Sequence, residues 1–318
     1  PMETNVIWRN ARAAVIELDD GGYFTCADTW EIFVNDEPAG TTNTVETYVD
    51  GLTPGKRNLV RFVCGERELS VGVTTPAEPF TINVRDCGAK SDAEHDDTTN
   101  IQAAIMACPK GGRVLIPAGS YRIKSLFLKS NINIELAEGA VLLARHDRAA
   151  LAYIPGTVTG NEGAGYAGTD MLPLGRWEGE SFSTYCSTFT GLGVHDVCIY
   201  ARGAIDGQTD FAEDNWWNKD FKNIFRPEEG REVSRPRMIF LSECENVSLA
   251  GFTVRNSPAW NIHPILCEHV DALCLWALWQ TWHTHDRTSD DYNHLGTHIY
   301  GDVANVEFET FCRTVCFG

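Results

Sequence analysis

The residues best equipped for chemistry sit in two kinds of place: polar and aromatic stretches between regular segments, and a tail rich in histidine and aspartate. The stretches from Tyr153 to Tyr185 and from Gln208 to Ser234 are too long for simple turns, and they carry Arg176-Trp-Glu-Gly179, Asn215-Trp-Trp217 and Phe225-Arg-Pro227. Aromatic faces stack on pyranose rings and an arginine fork pairs with a carboxylate, so this mixture suits an acidic sugar. Trp217 is the candidate platform. The competing reading is that Trp216 and Trp217 anchor their loop on the scaffold. In the tail, His283, His285, Asp286, Asp290, Asp291, His294 and His298 are metal-ligand types, with His294 and His298 at helical i, i+4 spacing. No apolar framework or supporting shell accompanies them, so neither a metal site nor a cofactor is expected.

Loops of this kind need a rigid scaffold to aim them. The 318 residues suffice for two domains, and 43% hydrophobic with 22% charged residues describes a globular chain with a core. A formal charge of −18 argues against an extended nucleic-acid footprint. It does not exclude a polyanionic ligand, because screening confines the global field to about 8 Å and leaves a local cationic cleft in control. There is no apolar run of membrane-spanning length and no basic-then-apolar leader, so neither a membrane partner nor a signal peptide is expected. The eleven cysteines are odd in number and scattered, which fits a reduced, cytoplasmic chain; secretion directed by a longer N-terminus stays open.

Residues 1–78 read as short strands, Ala13–Leu18, Trp30–Val34, Thr44–Val49 and Leu59–Val63, separated by turn signals such as Asp19-Asp-Gly-Gly22 and Leu52-Thr-Pro-Gly55. That is the pattern of a small β-sandwich. Thr75-Pro-Ala-Glu-Pro79 reads as an extended linker. A helix is expected to start at Asp96-Asp-Thr-Thr, with an acidic first turn, an apolar stripe of Ile101, Ala104, Ile105 and Cys108, and a stop at Pro109. Beyond it the chain repeats. Cys244-Glu-Asn-Val247 returns as Cys267-Glu-His-Val270, 23 residues later, and the segments beginning at Ile132, Val197 and Val247 share one alternating rhythm. Stacked coils of that length bury one set of side chains in a bore, and the helix would cover the open first coil.

The run Asn83-Val-Arg-Asp-Cys-Gly-Ala89, then Asp96-Asp-Thr-Thr-Asn-Ile-Gln-Ala-Ala-Ile105, then Gly111-Gly-Arg-Val-Leu-Ile-Pro-Ala-Gly-Ser-Tyr121 resembles the entry to the polygalacturonase family of glycoside hydrolases, in particular its bacterial exo-acting members. The resemblance continues through Arg235-Pro-Arg-Met-Ile-Phe240 and Asn256-Ser-Pro-Ala-Trp-Asn-Ile-His-Pro264, to about residue 267. The Gly51-Leu-Thr-Pro-Gly55 corner is similar to that of fibronectin type III domains. The resemblance implies an all-β chain: a fibronectin-like sandwich over 1–78, then a right-handed parallel β-helix over 79–318. It also implies inverting hydrolysis of α-1,4-galacturonan, with oligo- or polygalacturonate as partner, Arg237 steering a substrate carboxylate, and Asn261 and His263 lining a sugar subsite. Each has a structural rival: Arg237 in an ion pair with an acidic loop, His263 as a satisfied histidine beside Pro264, Asn256 as an amide that stacks between coils.

Inversion needs a carboxylic acid and a carboxylate base flanking the scissile bond, and the family supplies them from Asn-Thr-Asp-Gly and Gly-Asp-Asp segments. Here Asp286 is followed by Arg287, and Gly301-Asp302 by Val303, so Asp286 and Asp302 are the candidate catalytic pair in altered surroundings. Rung rhythm is expected to fail near Cys267 to Leu275, leaving 268–318 aberrant and turnover low. A disrupted reading frame past codon 270 would produce such a change. The alternatives are a non-catalytic carbohydrate-binding β-helix and a pectate lyase-like β-helix.

Overall fold

The computed structural model describes residues 3–19, 22, 25–145, 147–154, 176–177, 180–181, 184–210, 216, 235–278 and 315–317. The N-terminal segment alternates apolar and polar residues, which sends successive side chains to opposite faces of each strand. β1 (Glu3–Arg9), β2 (Ala14–Asp19) and β5 (Glu46–Val49) form one antiparallel sheet, in the order β1-β2-β5. A second antiparallel sheet takes the order β4-β3-β6-β7, from β3 (Thr25–Val34), β4 (Glu37–Thr44), β6 (Arg57–Cys64) and β7 (Arg67–Thr74). Trp30, Val60 and Phe62 of the second meet Ala14, Ile16 and Leu18 of the first in a shared core. β1 and β7 add to the expected strands, and the single strand expected at 44–49 divides at Val45, between β4 and β5. The Leu52-Thr-Pro-Gly55 corner is held by buried Asn58, whose carboxamide accepts from Thr53 N at 2.8 Å and donates to Thr53 O at 3.1 Å.

From Thr81 the chain winds through three parallel sheets. One passage runs through Ile132–Leu136, then Ala140–Ala144, then Phe189–Leu192 before the chain returns to the first sheet at His195–Tyr200. Val197 pairs with Val247, and Val247 with Val270, so the repeat read from Cys244 and Cys267 is the spacing of stacked coils. Ile134, Leu142, Ile199, Ile205, Val247 and Val254 belong to one continuous core that fills the bore. α1 (Thr98–Ala107) closes its first end, adding Ile101, Ala104 and Ile105 to that core.

Two expectations need correction. Asp97 is the residue before the helix, but its carboxylate does not cap the first turn; it accepts from Lys90 N and Ser91 N at 2.7 and 2.9 Å. Asp96 accepts from Thr98 N instead. The second concerns rung rhythm, which does not fail at Cys267 to Leu275. Glu268–Leu273 stacks on Glu245–Ala250, Trp276–Leu278 stacks on Thr253–Arg255, and Val315–Phe317 adds to the first sheet beside Glu268–Leu273. Val270, Ala272 and Leu275 keep the bore apolar through this turn, which is all that stacking requires.

The sandwich packs along the side of the β-helix rather than on its end. Ala13, Val15 and Tyr48 meet Cys198, Tyr200 and Ala201 of one coil, Ala250 of the next and Leu273 of the one after. Arg202 fastens the contact, donating to Asp50 Oδ2 at 2.8 Å and to Tyr48 O at 3.0 Å. The linker contributes Glu78, which accepts from Arg12 Nε and Nη2, each at 2.9 Å, and faces Arg113 at 3.4 Å.

Candidate functional site

Ile239–Ser242 and Ile262–Ile265 are neighbouring strands of the four-stranded sheet, with Phe240 beside His263 in register. Ile239, Leu241 and Ile262 join the bore core, so strand alternation turns Phe240 and His263 to the outer face. Their rings lie 5.3 Å apart between centroids. Arg237, just before the first strand, places its guanidinium 5.6 Å from the Phe240 ring and 5.2 Å from the Trp260 ring. Trp260, just before the second, meets His263 edge-on at 5.2 Å. Cation and rings thus interlock at the corner where the long segments between the second and third sheets return to the coil.

Arg237, Asn261 and His263, expected to act together, are brought to this one corner. They form its interior: Arg237 is 1% exposed, Asn261 2% and His263 0%. Half-buried Trp260, which the sequence reading passed over as a site residue, is the member that reaches the surface. Its signal was present in the Pro-Ala-Trp-Asn string next to His263. Trp217, Asp286 and Asp302, like the histidines of the tail, lie outside the described residues. Trp216 is fully buried against Tyr185 and Leu151, with Arg148 stacked 4.1 Å over its ring, so it anchors its loop. Cys186 packs beside Phe240, and burial pushes its thiol up to about 11, which suits packing and not nucleophilic attack. Among the described residues no three His, Cys, Asp or Glu side chains gather as a metal site.

A second cluster fixes the coil that carries Trp260 and His263. Asp206 accepts from Arg255 Nε at 2.8 Å, Asn256 Nδ2 at 2.9 Å and Gln208 N at 2.9 Å. Asn256 is thus an amide that links coils. Asp206 was missed because Ile205-Asp-Gly207 reads as a turn; aligning it with Val254-Arg-Asn256 one coil on puts the carboxylate beside the guanidinium.

Comparison with known proteins bears on the fold that carries this corner. Residues 81–137 match the family model described as rhamnogalacturonase A/epimerase, pectate lyase-like. The exo-poly-alpha-D-galacturonosidase of Dickeya chrysanthemi is 39% identical over 107 residues, 33% of this chain and 16% of that protein. The "Probable polygalacturonase" of Vitis vinifera is 26% identical over 191 residues, 58% of this chain and 34% of its own. The family 28 exopolygalacturonase of Yersinia enterocolitica superposes with a TM-score of 0.59 at 20% identity, over 88% of this chain and 59% of that one, which establishes the shared fold. This chain therefore spans less than two thirds of the length of each of these proteins. The fold is that of a parallel β-helix protein, and the likeness to the pectate lyase-like model lies in its first coils. Among proteins of that fold, the chain is similar in sequence to polygalacturonases over the stretches given above.

Proposed function

We propose that the chain is a polygalacturonase-type glycoside hydrolase that cleaves α-1,4-galacturonan with inversion. The observation that carries this reading is the interlocked Arg237, Phe240, Trp260 and His263 corner on the outer face of a coil whose relatives are named for galacturonan cleavage. Trp260 offers the face on which a pyranose ring stacks. Arg237 lies behind it in the role of steering a uronate carboxylate, and Asn261 and His263 set the subsite's shape. Asp286 and Asp302 are the proposed acid and base. One protonates the leaving glycosidic oxygen; the other takes a proton from the attacking water on the opposite face of the ring, as inversion requires. Trp217 is proposed as a second stacking platform.

We also propose the division into a sandwich over 1–78 and a right-handed β-helix over 79–318. A fibronectin type III-like identity for the sandwich is supported by its three-plus-four strand order. The names of the relatives favour hydrolysis over the binding-only and lyase readings.

The test is incubation of the full chain with polygalacturonic acid, following reducing ends and the anomer formed by proton NMR. New reducing ends that first appear as the β-anomer support the proposal. Ultraviolet-absorbing unsaturated products would replace it with a lyase, and binding without new ends would replace it with a binding protein.

A further inference from the structure

The two strands that carry the candidate corner each run on into a cysteine. Ile239–Ser242, with Phe240, is followed by Cys244, and Ile262–Ile265, with His263, is followed by Cys267. Glu243 and Leu266, at φ +50° and +51°, turn the chain in the same way before each cysteine. Glu268 N donates to Cys244 O at 2.9 Å and Glu245 pairs with Glu268, so the two cysteines hold the same place on neighbouring coils. Neighbouring strands of a sheet lie about 4.8 Å apart, within the roughly 4.4–6.8 Å between Cα atoms that a disulfide bridges. The sulfurs share one patch as well. Cys244 Sγ stands 3.4 Å from Ser242 O, and Cys267 Sγ reaches across to stand 3.5 Å from Leu241 O, the preceding carbonyl of that same strand.

Packing alone does not call for this pair. One coil earlier the same place holds Val194, and all three side chains belong to the core that fills the bore. An aliphatic side chain suffices there, whereas two stacked thiols add a redox chemistry that valine lacks. Both thiols are free in the structure. A hydrogen bond from Cys267 lowers the Cys244 thiol below its ordinary value, against the burial that raises it, which favours Cys244 as the attacking thiolate. Each cysteine is 1% exposed, so an outside reagent meets them only while this coil is still open, during folding.

We propose that Cys244 and Cys267 are a modification site: exchange with an external small-molecule or protein disulfide joins them in a bond that staples the strand of Phe240 to the strand of His263. The Cys244 thiolate attacks one sulfur of the reagent and expels a first thiol. Cys267 then attacks Cys244 Sγ in the mixed disulfide, forming the Sγ–Sγ bond and expelling a second thiol. The cysteine pair loses two electrons, the reagent gains them, and the two thiol protons leave on the two thiols released. The staple rests on the register of the coils and not on the activity proposed for the corner.

The test is to refold the full chain from urea in a mixture of oxidised and reduced glutathione, and in parallel with dithiothreitol, then alkylate and map the peptides by mass spectrometry without reduction. The glutathione sample is expected to yield Cys244 and Cys267 in linked peptides, two hydrogens lighter than the separate ones. Its melting temperature is expected to lie roughly 4–8 °C above that of the dithiothreitol sample, because closing a loop of this length restricts the unfolded chain. Chain exported to a bacterial periplasm and mapped in the same way is expected to carry the same link without refolding. Cys244→Val, which copies Val194, is expected to fold and to lose most of the rise. Three results would each overturn the proposal: both cysteines alkylated in the glutathione and periplasmic samples, either cysteine linked mainly to another partner, or a rise in melting temperature that Cys244→Val keeps in full. None of these results bears on whether polygalacturonic acid is cleaved.

Discussion

The Asp206 carboxylate takes the Nε–H of Arg255 at 2.8 Å from one coil to the next, and this single carboxylate also holds the Asn256 side chain and the Gln208 backbone. Asp206 is buried, and three donors depend on it. Asp206→Ala strands them and is expected to destabilise the chain by about 1–3 kcal/mol in urea unfolding. Asp206→Asn keeps the size and one acceptor and should lose clearly less. Equal losses for the two variants would show that the cavity, not the acceptor, matters.

Gly207 follows that carboxylate, and a Cβ built there would stand 2.1 Å from the Asn256 carbonyl oxygen. The obstacle is backbone, which cannot swing aside as a flexible side chain can. Gly207→Ala should therefore move one coil relative to the next, lowering stability by more than the roughly 1 kcal/mol of an average substitution. A melting temperature equal to that of the unsubstituted chain would mean that the coils separate easily at this corner.

Trp260 is the outward member of the cluster that buries Arg237 and His263. If it carries the stacking contact, Trp260→Ala should weaken trigalacturonate binding roughly threefold to tenfold, and Trp260→Phe should restore much of it. Isothermal titration at two salt concentrations separates the parts. The loss from Trp260→Ala should be the same at both, because stacking is not screened, whereas overall affinity should fall as salt rises.

The coil was legible because Cys244 and Cys267 begin matching strings and inward positions repeat with them; the register of Val247 on Val270 is what those strings encode. The docking of the sandwich was legible in principle. Ala13-Ala-Val-Ile16 is apolar at every position, which a strand with one wet face does not need; Ala14 and Ile16 enter the sandwich core while Ala13 and Val15 enter the contact with the β-helix. At the site, the residue types of Arg237, Asn261 and His263 were readable, but their burial was not, because it follows from Phe240 and Trp260 coming into place across coils. The rhythm beyond Cys267 was misread because Trp276 and its neighbours look foreign to a rung, although backbone pairing accepts them in register. Stacking constrains the inward positions strongly and the outward ones hardly at all.

At the first end of the β-helix, Asp96 joins the helical cap to the coil through Lys124 at 3.0 Å and Arg145 at 3.2 Å. Partial burial pushes its carboxyl up, but the hydrogen bonds from Thr98 and the charge of Lys124 outweigh this and bring it from 3.8 down to about 2. Glu78 at the sandwich junction behaves alike: burial raises its carboxyl, while Arg12, Thr81 and Arg113 bring it below its ordinary value. A carboxyl depressed in the folded chain contributes stability that is full above its unfolded value and lost as pH falls through its folded one. For Asp96 that window runs from about 4 down to about 2. Melting temperature should fall across it, and Asp96→Asn should melt lower than the unsubstituted chain at pH 6 but with a shallower acid slope, the two converging near pH 2. Scanning calorimetry at pH 6, 4, 3 and 2 checks this, because other carboxylates shift both proteins equally and only the difference reports Asp96. Parallel curves throughout would show that Asp96 does not tie the cap to the coil.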